Sequence, residues 1–231
     1  MNLGRSCLIV IVITMSGNSV FCQSDYLGRG EWGYEINAGY VTDGEVKGLS
    51  AAFGISISGM VDLGMVISRA YMNNSGLLGG DGTATSFGPG AFVHVFKSDV
   101  KRLPISAFIG VSYQRISYYS EALDVWDLDL KGESIVLLAG LYGNNEQTHE
   151  PVRIQPFMSI AHALHTLEFS SSDGRTQSVE ESTTDFGFGM SFFVRLTTRA
   201  TLRVEPQLSI NIDSDNVTFG LSVGVIQRSQ E

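Results

Sequence analysis

Asn216-Val-Thr-Phe-Gly-Leu-Ser-Val-Gly-Val-Ile226, near the end of the chain, is the stretch that decides the fold. Large apolar residues alternate in it with glycine, serine and threonine. Because successive side chains of a β-strand point to opposite faces, one face is apolar and the other is small or polar. A membrane-spanning barrel needs this arrangement, since its outer surface meets lipid and its lumen is narrow. The pattern therefore predicts a transmembrane β-strand.

The same alternation recurs along nearly the whole chain. It is present in 32–40, 49–58 and 61–68, and it predicts further strands near 85–96, 104–118, 127–143, 152–167, 182–196, 200–212 and 216–227. We expect an all-β fold, a single antiparallel transmembrane β-barrel of about ten strands, with eight as the alternative if one hairpin lies outside the membrane. Most of these segments reach the roughly 9–11 residues that a tilted spanning strand needs. In 133–142 both faces are apolar, so the sequence leaves its orientation open.

Residues 1–22 read as a secretory signal peptide, which leaves 23–231 as the barrel domain. Arg5 precedes a short apolar run at 7–15, and a small or polar segment ends at Cys22, where we expect cleavage before Gln23. The run is shorter than the ~20 residues of a spanning helix. Lipidation of Cys22 is the alternative, but Phe21 stands where that signal has a small residue. Cleavage would remove both cysteines of the chain.

Composition supports a membrane protein. The chain has 231 residues, 26 of them glycine and 5 proline. Only 17% are charged, below the roughly 25% of soluble domains. The formal charge of −9 argues against a nucleic-acid partner.

The links between strands predict an orientation. With both termini in the periplasm, the extracellular links are 42–48, 73–84, 119–126, 169–181 and 213–215, and the periplasmic ones are 59–60, 97–103, 144–151 and 197–199. The longest loops, 73–84 and 169–181, are then extracellular, as in known barrels. Aromatic residues are expected as two interfacial belts, one of Trp32, Tyr34, Phe96 and Tyr142, the other of Tyr40, Tyr71, Tyr118, Tyr119 and Trp126.

These residues together resemble the outer-membrane β-barrel superfamily, in its branch of small OmpA-like and porin-like barrels. Thr218-Phe-Gly-Leu-Ser-Val-Gly-Val225 resembles the β-signal of barrel substrates, although Gln227-Arg-Ser-Gln-Glu231 follows where an aromatic residue often ends the chain. The resemblance implies a bacterial outer-membrane protein. It also implies a monomer, with membrane lipid, lipopolysaccharide and the barrel-assembly machinery as its partners.

Charged residues at inward positions are the first candidate site. We expect the following to point into the periplasmic half of the lumen: Glu35, Arg153, Arg195, Arg203 and Glu205. Opposed Arg and Glu side chains pair in a narrow interior, because an unpaired charge there is costly. The cluster is either an ion-selective constriction or a structural plug, and we favour the plug, since barrels near eight strands are filled by side chains.

Three carboxylates form the second candidate, an acidic outer rim of Asp124, Asp127 and Asp129. Carboxylates in such a group could bind calcium or bridge lipopolysaccharide through divalent ions, but a solvated rim is the favoured interpretation. An EF-hand loop starting at Asp127 is excluded, because Lys131 stands at its fifth position and Leu138 at its last. We therefore predict no metal site and no cofactor.

Histidines raise the question of an enzyme. Outer-membrane proteases of the omptin family are ten-stranded and use aspartates with a His–Asp pair, and this chain has His162 and His165 in its predicted seventh strand. Spaced three apart, they face opposite ways. His94 is interpreted as a lumen side chain. We predict no catalytic residues and a non-enzymatic, structural or surface-interacting role; the alternatives are a narrow porin-like channel and a barrel enzyme acting on peptide or lipid.

Overall fold

The computed structural model of the chain describes residues 27–75, 80–96, 105–143 and 152–229. The predicted signal peptide, with both cysteines, lies outside these ranges. Within them are one short helix, α1 (Glu121–Val125), and ten strands: β1 (Gly33–Thr42), β2 (Val46–Ile57), β3 (Val61–Ser75), β4 (Gly80–Phe96), β5 (Ile105–Ser120), β6 (Leu128–Gly143), β7 (Val152–Ser171), β8 (Thr176–Arg195), β9 (Ala200–Asn211) and β10 (Val217–Arg228).

The ten strands form one closed antiparallel barrel in which each strand pairs with its neighbours in sequence. Closure is made by β1 and β10, whose register runs from Gly33 opposite Arg228 to Thr42 opposite Phe219. The prediction of ten strands is confirmed, and the eight-stranded alternative is wrong. We call the end that holds Gly33 and Arg228 the lower end, and the opposite end the upper end.

The outer surface of the barrel is apolar. On β10, the outward residues Val217, Phe219, Leu221, Val223 and Val225 are between 37% and 53% exposed, and the glycine, serine and threonine side of that strand faces inward. All ten strands carry exposed apolar side chains in the same way. Exposure of so large an apolar band to water would be unfavourable. The barrel is therefore a transmembrane one, with its lipid face on the predicted side. Among the described residues, no helix is long and apolar enough to cross a membrane.

The structure resolves the orientation of β6, which the sequence left open. Ile135, Leu137 and Leu141 point to lipid, while Val136 and Tyr142 are buried inside. Pairing with β5 and β7 fixes this choice, because a slip by one residue would reverse every side chain. The predicted placement of Tyr142 of β6 and Tyr118 of β5 in the interfacial belts is wrong, because both side chains are buried in the lumen.

Large inward side chains lie opposite glycines of the next strand. Phe92 is paired with Gly110, and a Cβ atom on Gly110 would stand 2.2 Å from the Phe92 ring. Phe108 lies in the same way opposite Gly140, at 2.5 Å. These two inward glycines thus provide the space that their bulky neighbours occupy, so large and small residues pack against each other across β4, β5 and β6.

The two long loops predicted at the upper end are for the most part strand. β7 continues to Ser171 and β8 begins at Thr176, so the 169–181 loop shrinks to a four-residue turn at 172–175. Likewise β3 extends to Ser75 and β4 starts at Gly80. Polar residues dominate these extensions, so their sequences carry no apolar alternation and predict loops. The upper ends of β3 to β8 project beyond those of the shorter strands β9, β10, β1 and β2. We call this projecting part of the barrel the upper wall.

Candidate functional site: the lumen and the upper wall

An ion pair crosses the lower half of the lumen. Arg203 Nη2 lies 2.9 Å from Glu35 Oε1, and Arg203 Nη1 lies 3.8 Å from Glu205 Oε2. Asn37 Nδ2 donates to Glu35 Oε1 at 3.3 Å, and the Ser191 hydroxyl donates to Glu205. All of these side chains are buried. A guanidinium placed between two carboxylates compensates charges that would be costly if left alone in this interior.

Gly224 makes this ion pair possible. It lies on β10, the strand between β1 and β9, directly opposite Arg203. A Cβ atom at this position would stand 2.3 Å from Glu35 Oε1. Because glycine has no side chain, Arg203 and Glu35 can meet across β10. The small inward face of β10 therefore allows side chains of β1 and β9 to contact each other.

The other two basic residues of the predicted cluster lie apart from the ion pair. Arg153 is half-buried; its Nη2 donates to Gln155 Oε1 at 2.7 Å, and its guanidinium lies 5.7 Å from the centre of the Phe193 ring. Arg195 ends β8 and is exposed. The structure therefore brings together Glu35, Arg203 and Glu205, and places Arg153 and Arg195 toward the lower rim, where both strands have their ends.

A second buried polar group involves residues that the sequence did not connect. His94 Nδ1 lies 2.8 Å from the Tyr142 hydroxyl, and His94 Nε2 lies 3.2 Å from Asp62 Oδ2. Asp62 and His94 are fully buried. The expectation that His94 faces the lumen is confirmed, but it is not alone there. Asp62 lies on the inward face of β3, and only the register that aligns β3, β4 and β6 brings it to His94.

Buried apolar clusters lie toward both ends of the lumen. At the upper end Leu123 of α1 reaches inward and joins a buried cluster with Met72, Ile116, Tyr118 and Leu130. The helix is held over this cluster by its N-cap, in which the Leu123 N–H donates to the Ser120 hydroxyl at 3.2 Å. At the lower end Leu27, Phe193 and Ile226 form another cluster. The sequence could not assign Leu27 or Leu123, since both lie outside the strands.

The three aspartates of the predicted outer rim lie around one depression of about 400 Å³, beside the turn between β7 and β8. Asp129 is paired with Lys131, and Asp124 accepts a long hydrogen bond, 3.5 Å, from the Tyr119 hydroxyl. Asp127 has a positive φ of 52°, a conformation that aspartate tolerates in turns. In the part of the chain that the structure describes, no group of three or more His, Cys, Asp and Glu side chains is placed to hold a metal ion.

The two histidines of β7 point in opposite directions, as their spacing predicts. His165 is buried and lies 3.2 Å from the Thr183 hydroxyl oxygen, whereas His162 faces outward, 3.1 Å from the hydroxyl oxygen of Thr184. The structure therefore does not bring these histidines to a shared site.

The upper part of β8 has a long open edge. β8 pairs with β7 along its whole upper part, from Thr176 opposite Ser170 downward. Its pairing with β9, however, begins only at Asp185 opposite Asn211. Just above that point Ile212 N–H donates to the Thr184 carbonyl at 2.9 Å, and the Thr184 N–H donates to Asp213 Oδ2 at 2.8 Å. Between 176 and 183, no described strand pairs with this side of β8.

The closed topology and the apolar exterior define the class of this protein: a ten-stranded transmembrane β-barrel. No protein-family model matches the chain, and no curated protein matches it either.

Several solved structures resemble it. Neisserial surface protein A is 15% identical, with 85% of this chain and 96% of that one covered and a TM-score of 0.38. The translocator domain of the autotransporter NalP from Neisseria meningitidis is 11% identical over 98% and 97%, with a TM-score of 0.47. Ail of Yersinia pestis, in complex with the heparin analogue sucrose octasulfate, is 13% identical over 87% and 99%, with a TM-score of 0.34. None of these likenesses bears on what this chain binds.

Proposed function

We propose that this protein is a closed, non-enzymatic barrel of the bacterial outer membrane that acts through its extracellular wall. The observation that carries the proposal is the filling of the lumen at three levels. Leu123 and its neighbours occupy the upper end, the Arg203 ion pair crosses the lower half, and Leu27 packs into the lower end. These side chains support a filled lumen, and a filled lumen would leave the outer surface as the part that meets a partner.

The orientation follows from the termini. With both chain ends in the periplasm, the wall formed by β3 to β8 stands on the extracellular side. The apolar band then contacts membrane lipid, and the outer leaflet brings lipopolysaccharide against the base of the wall. Lipid, lipopolysaccharide and, during biogenesis, the barrel-assembly machinery are its proposed partners, and we propose that it works as a monomer.

A planar-bilayer recording tests the closed lumen. Protein refolded in detergent, and shown to be folded by a mobility shift between unheated and boiled samples on an SDS gel, is added to one side of the bilayer. We expect no conductance steps, while a general porin treated identically gives steps. Regular steps whose ion selectivity changes in Glu205→Gln would refute the closed barrel and establish the alternative, a narrow channel.

A second assay addresses the enzymatic alternative. The supporting observation is that His162 and His165 lie on opposite faces of β7, so the two histidines cannot belong to the same catalytic site. We expect no turnover when the folded protein is incubated with lipopolysaccharide or with peptide libraries. Cleavage that follows the folded protein through purification, and is lost on boiling, would contradict the proposal.

A further inference from the structure

The open edge of β8 indicates how the wall would meet a partner, an inference that rests on the proposed extracellular wall. Residues 176–183 form the upper part of β8 and have β7 on one side only. At about 3.3 Å per residue, this edge runs for roughly 26 Å. An edge of such length is a template onto which another strand can pair.

The backbone groups that face the open edge can be assigned. Thr184 directs both its N–H and its carbonyl toward the β9 side, where they bond Asp213 and Ile212. N–H and carbonyl groups of alternate residues in a strand point to the same side. Ser178, Glu180 and Ser182 therefore present theirs to the open edge, while the residues between them bond β7.

Carboxylates surround this edge. Glu180 lies at its centre on the outer face of the wall, Glu168 of β7 lies on the same face opposite Ser178, and Glu181 lies on the inner face. Asp213 stands at the lower limit of the edge. Arg175 is the basic residue of the adjoining turn, and it is paired with Asp173 at 3.2 Å. The edge therefore favours a segment with positive charge.

The same charges argue against a second copy of this chain. Two copies in one membrane have their β8 strands running in the same direction, because each crosses the bilayer with the same orientation. Pairing of their open edges would be parallel, with the two copies related by a two-fold axis along the membrane normal, and it would place Glu180 of one copy on the same face as Glu181 of the other. Like charges on paired strands are destabilising. The acidic residues thus protect the edge from self-association without removing its hydrogen-bonding groups.

We propose that residues 176–183 bind an extended, lysine- or arginine-rich segment of another polypeptide as an added β-strand. Main-chain hydrogen bonds from Ser178, Glu180 and Ser182 hold the segment, and the carboxylates of Glu180 and Glu181 select its charge. This is the mode of recognition in which backbone bonds provide the affinity and side chains the specificity.

The probe is a fluorescent ten-residue peptide of alternating lysine and valine with blocked ends, and its control has glutamate in place of lysine. Fluorescence anisotropy measures binding to the folded protein in detergent micelles. In the test variant, Ser178→Pro is combined with Ser182→Pro, which removes two N–H donors from the open edge and leaves the pairing with β7 intact. The matched control, Ser178→Ala with Ser182→Ala, keeps both donors.

We expect the lysine peptide to bind and the glutamate peptide not to bind. The proline variant should lose about tenfold or more in affinity, and the alanine variant should stay within about twofold of the wild type. Bound peptide should also slow amide hydrogen exchange at Ser178, Glu180 and Ser182. Glu180→Lys, which keeps every backbone group, should weaken the lysine peptide, and it serves as a second test if the proline variant fails to fold.

Three results would overturn the inference. Equal binding to the proline and alanine variants would mean charge attraction without strand pairing. Proline-sensitive dimerisation of the protein itself would make a second copy the occupant. No binding of the lysine peptide at millimolar concentration would leave the edge without its proposed ligand. If no conductance steps are recorded, any of these three results refutes the bound strand but not the closed barrel. Conductance steps refute the closed barrel regardless of whether the peptide binds.

Discussion

Arg203 and Glu35 form a buried ion pair between β9 and β1, with 2.9 Å between Nη2 and Oε1 and side chains that are 0% and 1% exposed. The two residues are far apart in sequence and belong to strands that are not neighbours. They meet because β10, between them, offers Gly224 at the level of the contact. The pair therefore reports on closure of the barrel as well as on the filling of its lumen.

Replacing one partner of this pair should be costly. Arg203→Met leaves two carboxylates in the lumen without their guanidinium, and we expect it to lower the free energy of unfolding by about 3–5 kcal/mol. The double variant Glu35→Gln with Arg203→Met should lose less than the two single variants combined. Urea unfolding in lipid vesicles, followed by the fluorescence of Trp32 and Trp126, measures the free energy of unfolding of the single and double variants. Single variants that each lose less than about 1 kcal/mol would contradict a compensating pair.

A side chain at Gly110 should disturb the packing of the lumen. Gly110→Ala places a Cβ atom 2.2 Å from the ring of Phe92, and we expect a loss of about 1–3 kcal/mol in the same unfolding assay. Gly132→Ala is the matched control, because its Cβ atom would meet a Leu167 methyl group at 3.2 Å. Adding Phe92→Leu to Gly110→Ala should recover part of the loss. Equal stability of the two alanine variants would count against the paired packing.

Leu123 should be shielded from solvent by its place in the upper cluster. In protein produced from residue 23 onward, which lacks both cysteines, Leu123→Cys and Val125→Cys can be labelled with a thiol reagent. Leu123 is 4% exposed and Val125 79%, so we expect labelling at 123 to be roughly 100-fold slower, since it requires local opening. Ser120→Ala removes the N-cap acceptor and should speed labelling at 123. Similar rates at both positions would show that the upper end is open.

The turn between β7 and β8 should titrate in a defined way. The Ser171 hydroxyl and the Arg175 N–H both donate to Asp173, and they hold the pKa of that carboxyl below its ordinary value. Because folding lowers this pKa, the ionised carboxyl stabilises the turn fully at any pH above the ordinary pKa of an aspartate. The stabilisation is lost as the pH falls through the lowered pKa. An NMR titration should show a higher pKa in Ser171→Ala and little change in Ser172→Ala. An unchanged pKa in Ser171→Ala would remove the hydroxyl as its cause.

Export should leave Gln23 at the N-terminus. We expect N-terminal sequencing of the protein from the outer membrane of a Gram-negative host to begin there, because Val20 and Cys22 fit the positions before a cleavage site. Cys22→Leu, which puts a bulky residue before that site, should reduce processing, and Cys7→Leu is the control within the apolar run. A lipidated Cys22 at the N-terminus would instead establish the lipoprotein alternative.

How much of the site could be predicted from sequence depended on the strands that carry it. Period-two alternation assigned Glu35, Arg203 and Glu205 to the lumen, because their strands have an apolar face on one side only. It could not separate Arg203, deep inside, from Arg195 at the rim, since height in the barrel depends on register and shear. The contact between His94 and Asp62 was missed for the same reason.

The sequence by itself determined which faces of the strands meet lipid, and hence that the chain forms a transmembrane barrel. Apolar alternation records this directly, because lipid outside and a packed lumen inside impose opposite demands on successive residues. The tertiary structure alone decided the orientation of β6, the burial of Leu27 and Leu123 at the two ends, and the height of the wall. In β6 both faces are apolar, and in the upper extensions of β3, β4, β7 and β8 polar residues dominate both faces. Where the two faces share one environment, alternation vanishes, and only pairing with neighbouring strands fixes the structure.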